Sequence, residues 1–261
     1  MSSNAMRYDA APARRQAILD RVRAAGFCSI ADLAEALAVS DMTVRRDVRR
    51  LHDLGEVRVV HGGVSLPEGH EFSAREHENA GSKHVIGAAA ARLVKPGDTI
   101  AVDAGTTAHA LVTALPPEFR GSVVTHSVPV MQSLLDSPHI GCVGLGGDLN
   151  PSSRAFVGPA TVEAAVRLRV RWCFLGAAAV DDRGCYGVYD LERPTKQALM
   201  DIADFVVLVA DAGKFHTSAP VLLTPLDRLH AIVTDAEPPA RFRAAAEEHG
   251  VRLIIAGRAA S

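Results

Sequence analysis

The sequence predicts an α/β protein made of two unequal domains. Residues 7–66 carry helical apolar patterns followed by a hairpin pattern, whereas residues 82–258 alternate short β-branched runs with helical stretches. The alternation is typical of a mostly parallel sheet covered by helices. Residues 67–81 are polar and show no sustained apolar period, so we expect a linker between the two domains.

The composition is that of a folded protein with an ordinary core. Of the 261 residues, 48% are hydrophobic and 22% are charged, which excludes a disordered chain. The net charge of −2 excludes a uniformly basic nucleic-acid binder, and an aromatic content of 5% argues against a base-stacking surface. The four cysteines form no CxxC pair, and no apolar run is long enough to cross a membrane. We therefore expect a cytoplasmic protein without structural zinc, disulfides or a cofactor.

The first domain is predicted to contain three helices and a β-hairpin. Its apolar stripes are Ile18, Leu19 and Val22, then Ile30, Leu33, Ala34 and Leu37, then Val44, Val48 and Leu51. Ser29 and Ser40 are suited to cap the second and third helices, and Gly26 and Gly55 to end the first and third. Residues 56–61 and 64–66 flank a Gly-Gly turn, which predicts a hairpin, or wing.

The second and third helices are joined by a short turn, and together with the wing they form a winged helix-turn-helix pattern. The stripe of the third helix turns its arginines outward, where their guanidinium groups suit guanine edges and phosphates. Arg50 belongs to the same outward arc. The residues that we expect at double-stranded DNA are Ser40, Thr43, Arg45, Arg46, Arg49, Arg58 and His61.

A solvated helix surface is the alternative interpretation of this arginine-rich helix. Asp41, Asp47 and Asp53 lie on the same helix and could pair with the arginines. The preceding helix, the short turn and the wing all have lengths that favour DNA binding. A single winged helix makes few base contacts, so we also expect a homodimer or homotetramer that reads a repeated site.

The second domain alternates predicted strands and helices, and ligands of such sheets bind at the carboxyl ends of strands. The predicted strands are Thr99–Asp103, Ser122–Thr125, Ile140–Leu145, Trp172–Gly176, Phe205–Ala210, Ala231–Thr234 and Arg252–Ile255. The predicted helices are 83–94, 107–115, 127–136, 159–168, 194–203 and 238–249. Cys142 and Cys173 lie in these strands and are expected to be buried, whereas Cys185 is expected to be accessible.

Polar groups follow several of these strands. Asp103 ends the first strand, and Gly105, Thr106 and Thr107 then open a helix whose free amides and hydroxyls suit an anion. Taken alone, such a segment is more often a plain strand-to-helix turn in which a threonine caps the helix, without a bound ligand. Further polar or flexible positions at strand ends and helix starts are Thr125, His126, Ser127, Gly146, Gly147, Glu192, Lys196 and Lys214. Convergence of these positions at one edge of the sheet favours a ligand site.

The first domain contains a Ser-x-x-Thr-Val-Arg-Arg-Asp run at 40–47 and a His-Gly-Gly run at 61–63. With these two runs it resembles the DeoR/GlpR family of bacterial transcriptional regulators, and the resemblance continues through the second domain. It implies a DNA-binding regulator, most often a repressor of a carbohydrate-metabolism operon, whose partner is double-stranded operator DNA.

The second domain resembles the sensor domain of the same family, which is itself similar to ribose-5-phosphate isomerase and to CoA-transferase folds. This resemblance implies a phosphorylated sugar or a related metabolite as effector, bound by the strand-end residues named above, from Asp103 to Lys214. Two positions depart from the family pattern. His126 stands where Asn is usual, and Ala212-Gly213 stands where Ser is common before the lysine.

Two other functions remain as alternatives. A sugar-phosphate isomerase needs a placed carboxylate base, but the acidic Asp-Gly-Ala-Asp-Glu loop of that family is missing, and the segment 181–184 has the pattern of a plain hairpin. We therefore expect a regulator and not an enzyme. A metal sensor is suggested by His70, His77 and His84, which are spaced by seven, but a solvated polar segment explains them better and we expect no metal site.

Overall fold

The computed structural model describes residues 3–66 and 71–257, and it confirms the predicted α/β class. The helices are α1 (Ser3–Ala25), α2 (Ile30–Ala36), α3 (Asp41–Asp53), α4 (Glu71–His77), α5 (Ala80–Ala91), α6 (Thr106–Thr113), α7 (Val128–Leu135), α8 (Pro159–Ala165), α9 (Arg193–Asp201) and α10 (Ala240–Glu248). The strands are β1 (Phe27–Ser29), β2 (Arg58–Val60), β3 (Gly63–Ser65), β4 (Thr99–Val102), β5 (Ser122–Thr125), β6 (Gly141–Gly144), β7 (Asp148–Asn150), β8 (Ala155–Val157), β9 (Val170–Leu175), β10 (Ala179–Asp181), β11 (Gly184–Gly187), β12 (Ala203–Val209), β13 (Val221–Pro225), β14 (Ala231–Thr234) and β15 (Arg252–Ile255).

The first domain is a winged helix-turn-helix with its own core. The predicted apolar stripes of α1, α2 and α3 meet in one buried cluster, in which Leu37 is only partly buried. Ser29 Oγ accepts the amide of Asp32 at 3.0 Å and Ser40 Oγ accepts the amide of Thr43 at 3.4 Å, so both predicted N-caps start their helices.

The wing is a three-stranded antiparallel sheet of order β1-β3-β2, one strand more than the sequence predicts. Strand β1 is too short to show a period, and it lies between two helices. Gly63 faces this extra strand so closely that a Cβ atom there would lie 2.3 Å from the carbonyl oxygen of Cys28. A glycine at this position is therefore required for β1 to pair with β3.

The second domain is built on a parallel sheet of seven strands in the order β15-β14-β12-β9-β4-β5-β6. All seven overlap the strands that the sequence predicts, and the central ones are apolar runs buried on both faces, whereas the edge strand β6 is exposed. Helices α5, α6 and α7 pack on one face and α8, α9 and α10 on the other. Side chains alternate accordingly, with Ile100 and Val102 of β4 in one core and Ala101 in the other.

The strand order reverses at the centre of this sheet. From β4 the chain proceeds to β5 and β6 on one side, and then returns to β9, β12, β14 and β15 on the other. The loops after β4 and β9 therefore diverge and leave a crevice at their carboxyl ends, which is where ligands bind in open α/β sheets.

Smaller strands complete the domain. Strands β10, β11 and β13 form a three-stranded antiparallel sheet, and β7 and β8 form a two-stranded one. The hairpin expected at 181–184 is present, with Asp181 paired to Gly184. Among the described residues, no helix has both the length and the apolar character that a membrane crossing requires.

The segment expected to be a linker contains helix α4. Its Phe72 is fully buried, and α4 contacts both α1 of the first domain and α6 of the second. A single buried phenylalanine in a short polar helix does not produce a repeating apolar pattern. The sequence therefore predicts a polar linker here and not a helix. The first four residues of the expected linker, with His70, and residue 258 lie outside the described residues.

Two of the cysteine expectations are wrong. Cys142 is exposed because β6 is the edge strand of the large sheet, and Cys185 is buried because β11 lies between β10 and β13. Burial raises the pKa of the Cys185 thiol to about 12. Cys173, in the centre of the sheet, is buried as expected.

Candidate DNA interface and effector pocket

Helix α3 presents an open row of arginines. Arg45, Arg46, Arg49 and Arg50 are all exposed, and within the described residues none makes a hydrogen bond or an ion pair. Ser40 and Thr43 lie at the start of the helix, with their hydroxyl oxygens 3.0 Å apart. The predicted DNA-facing residues of the helix therefore form one unpaired, positively charged surface.

The carboxylates of α3 do not neutralise this surface. Asp47 is buried and turned toward α1, where Oδ2 accepts a hydrogen bond from Arg14 Nε at 2.6 Å and Oδ1 lies 3.7 Å from Arg15 Nη1. Asp41 and Asp53 form no ion pair with the arginines in this part of the chain. Asp47 therefore fixes α3 on α1 and leaves the arginine charges available to DNA phosphates and bases.

The wing residues lie in a different setting. Arg58 is half-buried, with its guanidinium carbon 5.1 Å from the ring centre of Tyr189 in the second domain. His61 is exposed and borders a groove that Pro220 and Leu222 line from the second domain. Both predicted wing contacts to DNA are thus placed against the second domain in this arrangement.

A pocket lies at the crevice where the strand order reverses, between the two domains. Six predicted effector residues line it: Gly105, Thr106, Thr107, Glu192, Lys196 and Lys214. Its remaining polar wall is formed by Arg75, Glu78, Lys83, Ser153 and Tyr189, and the first domain contributes Ala25, Gly26 and Phe27. Four cationic and two acidic side chains surround the space, so it favours an anionic ligand.

Glycines allow the loops after β4 and β9 to approach each other at this pocket. A Cβ atom on Gly105 would lie 3.4 Å from Gly176 Cα, and one on Gly176 would lie 3.3 Å from Asp103 Oδ2. Helix α6 starts directly after Gly105, so its first amides point at the pocket. The hydroxyls of Thr106 and Thr107 have no hydrogen-bond partner among the described residues and supplement these amides.

Asp103 lies behind this wall and is completely buried. Its Oδ2 accepts hydrogen bonds from Lys196 Nζ at 2.5 Å and from the amide of Gly176 at 2.9 Å, while Oδ1 lies 3.1 Å from His126 Nε2. Both of its carboxylate oxygens are therefore engaged by groups inside the protein. In this arrangement Asp103 positions Lys196 and the loop after β9, and does not itself line the pocket.

The charges of this buried group stabilise each other. Burial alone would raise the pKa of Asp103, but Lys196 and the hydrogen bond from His126 hold it well below its usual range. Burial alone would lower the pKa of Lys196, but the Asp103 and Glu192 carboxylates raise it. Lys196 is consequently kept cationic where it reaches the pocket.

Lys83 forms a second cationic centre. Its ammonium donates to the carbonyl oxygens of Arg75 and Glu78 at the end of α4, the latter at 2.5 Å, and it is almost fully buried. Burial and the charge of Lys214 lower the pKa of Lys83 to about 8. Lys214 itself follows a turn in which the amide of Gly213 donates to Asp211 Oδ1 at 3.1 Å.

The other predicted effector residues lie away from the pocket lining. Thr125, His126 and Ser127 are buried; Thr125 donates to the carbonyl of Val102 at 2.7 Å and Ser127 caps α7. His126 takes the place of the usual Asn and fills the space between Asp103 and the carbonyl of Phe156, 2.8 Å from its Nδ1. Gly146 and Gly147 pack instead against the start of α8, where Gly146 accepts a hydrogen bond from Thr161.

Several lining residues escaped prediction. Arg75 and Glu78 belong to the expected linker, and Tyr189 lies in a loop without a pattern. Lys83 could have been predicted from the sequence. It is a charged residue in a helical stretch made mostly of small and apolar residues, and a lysine in a buried helix usually has a specific partner or role. Within the described residues, no three His, Cys, Asp or Glu side chains come close enough to hold a metal ion.

Comparisons with known proteins match both domains. The DeoR-like helix-turn-helix domain model matches residues 14–69, and the DeoR C terminal sensor domain model matches residues 78–236. An uncharacterized HTH-type transcriptional regulator, YgbI of Escherichia coli (strain K12), is 33% identical over 93% of this chain and 97% of its own length. The glycerol-3-phosphate regulon repressor of the same strain is 28% identical over 93% of this chain and 98% of its own.

The solved structures to which the chain is similar include ribose 5-phosphate isomerase A from Methanocaldococcus jannaschii. The TM-score is 0.39, with 19% identity over 52% of this chain and 55% of the isomerase chain. The relatives that span the chain are named as transcriptional regulators and not as isomerases. Because both family models match in the order of the two domains, the chain belongs to the DeoR family of helix-turn-helix transcriptional regulators.

Proposed function

We propose that the chain represses a carbohydrate-metabolism operon and that a phosphorylated sugar releases it from operator DNA. The observation that carries this proposal is the cationic pocket at the start of α6, which lies between the sensor sheet and the DNA-binding domain. A full-length relative is named for glycerol-3-phosphate, which supports a small organic phosphate as the effector class.

The pocket provides two kinds of contact for such a molecule. The amides of α6 and the hydroxyls of Thr106 and Thr107 suit phosphoryl oxygens, with Lys214 and Lys83 as counter-charges. Glu192 and Lys196 suit sugar hydroxyls, one as an acceptor and the other as a donor. Asp103, Thr125, His126 and Ser127 support this wall from behind, because their polar atoms bind other protein groups.

The DNA contact is assigned to α3. Its unpaired arginines give phosphate and base contacts within one helix, and a single such helix covers a short half-site. We therefore infer that a homodimer or homotetramer binds a repeated site, and that it does so in the cytoplasm, where bacterial DNA lies.

Binding to a fragment of its own promoter region tests this function. The full chain is titrated into labelled DNA at fixed salt, because affinity depends steeply on ionic strength. Glycerol 3-phosphate and a set of triose, pentose and hexose phosphates are then added, with the dephosphorylated compounds as matched controls. We expect tight binding that one phosphate releases and its dephosphorylated form does not. Absence of specific binding, or release by the dephosphorylated compound, would contradict the proposal.

A further inference from the structure

We propose that the effector joins the two domains and thereby holds the wing against the sensor domain, away from DNA. This inference rests on the proposed function and assigns the regulation of the same pocket. It requires three features: a wing that is docked, a docking contact weak enough to open, and a pocket that is complete only when docking occurs. The structure shows the docked wing and the shared pocket, and the polar character of the wing contact supports the second feature.

The wing is docked through its two strands and its turn. Ser65 of β3 lies with its hydroxyl oxygen 2.9 Å from the Tyr189 hydroxyl, and Arg58 of β2 stacks on the same ring. At the turn, a Cβ atom on Gly62 would lie 3.8 Å from Cβ of Pro220. While Arg58 covers Tyr189, its guanidinium is held at the sensor domain and away from a DNA phosphate.

Two further contacts between the domains are polar and exposed, whereas helix α4 adds apolar packing, with Ala74 against the core of the first domain and the Phe72 ring 6.2 Å from the His109 ring of α6. Ser218 donates to Asp32 Oδ2 of α2 at 3.0 Å, and Arg154 donates to Ser73 of α4 at 2.6 Å. The hydrophobic core of the first domain is separate from the two cores of the second. The wing contact through Ser65, Arg58 and Tyr189 is polar, so the wing can undock and dock again while α4 keeps the two domains connected.

The pocket spans this interface. Gly26 and Phe27, at the end of α1 and the start of β1, line it from the first domain, and Thr106 and Lys196 line it from the second. Tyr189 belongs both to the pocket lining and to the wing contact. A molecule that fills the pocket therefore has its full set of contacts only in the docked arrangement.

The thermodynamic consequence follows directly. A ligand shifts the equilibrium between two states only by the difference in its affinity for them. In the docked state the pocket has the additional lining residues of the first domain, so the effector binds this state more tightly. Effector binding thus favours docking, and docking removes Arg58 and the wing from DNA. By reciprocity, operator DNA must weaken effector binding by the same factor.

A disulfide between the wing and the sensor domain tests the proposal without requiring the effector. Gly62→Cys and Pro220→Cys are combined in the full chain, because their Cβ separation of 3.8 Å lies within the range of disulfides. Cys142→Ser removes the exposed natural thiol from this background. Oxidised glutathione forms the bond and dithiothreitol breaks it. The matched controls are the two single-cysteine variants, which form no bond between the domains. Gly62 has a φ of +77°, so the Gly62→Cys single variant also reproduces the local backbone strain of the double variant.

We expect the reduced double variant to bind operator DNA and the oxidised one to lose at least tenfold in affinity, with full recovery in dithiothreitol. Operator binding that is equally tight in the oxidised, cross-linked protein would overturn the proposal. A second pair, Asp32→Cys with Ser218→Cys, samples the same interface at another point. If neither pair forms a disulfide, the domains do not dock in solution and the proposal fails as well.

The role of the effector is read from the rate of disulfide formation. The sugar phosphate that releases operator DNA should accelerate cross-linking of the Gly62→Cys/Pro220→Cys protein severalfold, while phosphates that release no DNA leave the rate unchanged. A releasing phosphate that slows or does not change cross-linking would contradict the proposal. Failure of the proposed function is a separate result, since reduced protein would then bind no operator or respond to no phosphate.

Discussion

Asp103 stabilises the second domain from its centre, because it is the carboxylate on which buried Lys196 depends. Replacing it by Asn leaves the Lys196 ammonium without its counter-charge in a completely buried setting. Removing one partner of such a pair costs about 3–5 kcal/mol, so we expect Asp103→Asn to lower the free energy of unfolding by that order. Urea titration followed by circular dichroism measures the change. Asp136→Asn, at an exposed helix end, is the matched control.

The same residue predicts a pH dependence. Because its folded-state pKa lies below the ordinary value, the Asp103 pair contributes stability above about pH 4 and loses it as the pH falls further. Acid unfolding of the Asp103→Asn variant should accordingly be less steep below pH 4 than that of the natural chain. Equal slopes in both proteins would show that Asp103 does not carry this charge.

Lys83 gives the pocket a pH response at the alkaline side. Its pKa of about 8 means that it is cationic at pH 7 and mostly neutral at pH 9. A phosphate monoester, with a second pKa of about 6, keeps its charge over this interval. We expect the affinity for the releasing sugar phosphate to fall about tenfold from pH 7 to pH 9, as one charge-assisted contact of about 1.5–3 kcal/mol is weakened. Isothermal titration calorimetry at pH 7 and at pH 9 measures this change in affinity.

Lys83→Met provides the control for this response. The substitution keeps the length of the side chain and removes the charge, so the affinity should be lower at pH 7 and nearly constant up to pH 9. A variant that retains the full pH dependence would show that Lys83 does not carry this response.

The sequence predicts the location of a site residue where that residue directly follows a strand or starts a helix. Asp103, Thr106 and Lys196 were identified because a strand end and two helix starts place them at one edge of a sheet. Exposure was less predictable, as the cysteines show. Cys142 and Cys173 both lie in strands, but only the order of the strands, set by contacts distant in sequence, makes one an edge residue and the other a central one.

At the scale of the element, helix α3 acts as the DNA reader through its outward arginines. Arg46→Ala should weaken specific operator binding by about 1–3 kcal/mol, the range for a contact to a base edge, and leave sugar-phosphate affinity unchanged. Competition between operator and non-specific DNA at one salt concentration measures this loss. Arg92→Ala, an exposed arginine at the end of α5, removes the same charge elsewhere and should have no effect on specificity.

Helix α6 carries the corresponding prediction for the effector. Thr106→Val keeps the shape of the side chain and removes a hydroxyl that lines the pocket. The concentration of the releasing sugar phosphate needed for half-release should rise about tenfold, because a hydrogen bond to a charged group contributes about 1.5–3 kcal/mol. Operator affinity without effector should not change. Thr113→Val, at the exposed end of the same helix, is the control.

Elements were predictable in proportion to their length and burial. The seven strands of the large sheet and the helices between them have clear periods, and the structure shows all of them. Strands β1 and β13 are held by partners far away in the chain, and β7 and β8 are only three residues long each, so no local pattern indicates these four strands. Helix α4 is likewise fixed by the burial of Phe72 and not by its own sequence.

At the scale of the whole molecule, the arrangement of the two domains could not be predicted from the sequence. The pattern predicts two domains, and the structure gives them separate cores. They are joined by helix α4 and by side chains such as Tyr189, whose partners Ser65 and Arg58 lie more than a hundred residues earlier in the chain. Because no local period encodes such contacts, the sequence predicts the pocket floor but not the wall that the first domain adds.

This shared wall leads to a prediction for thermal unfolding. Because the cores are separate and only the short helix α4 and a few polar contacts connect them, the two domains should melt in two calorimetric transitions when no effector is present. An effector at about 100 times its dissociation constant stabilises whatever it binds by about 2.7 kcal/mol. Because residues 25–27 of the first domain line the pocket, both transitions should move upward and toward each other. If only the transition of the larger domain moves, the effector binds the sensor sheet alone and the wing is controlled by other contacts.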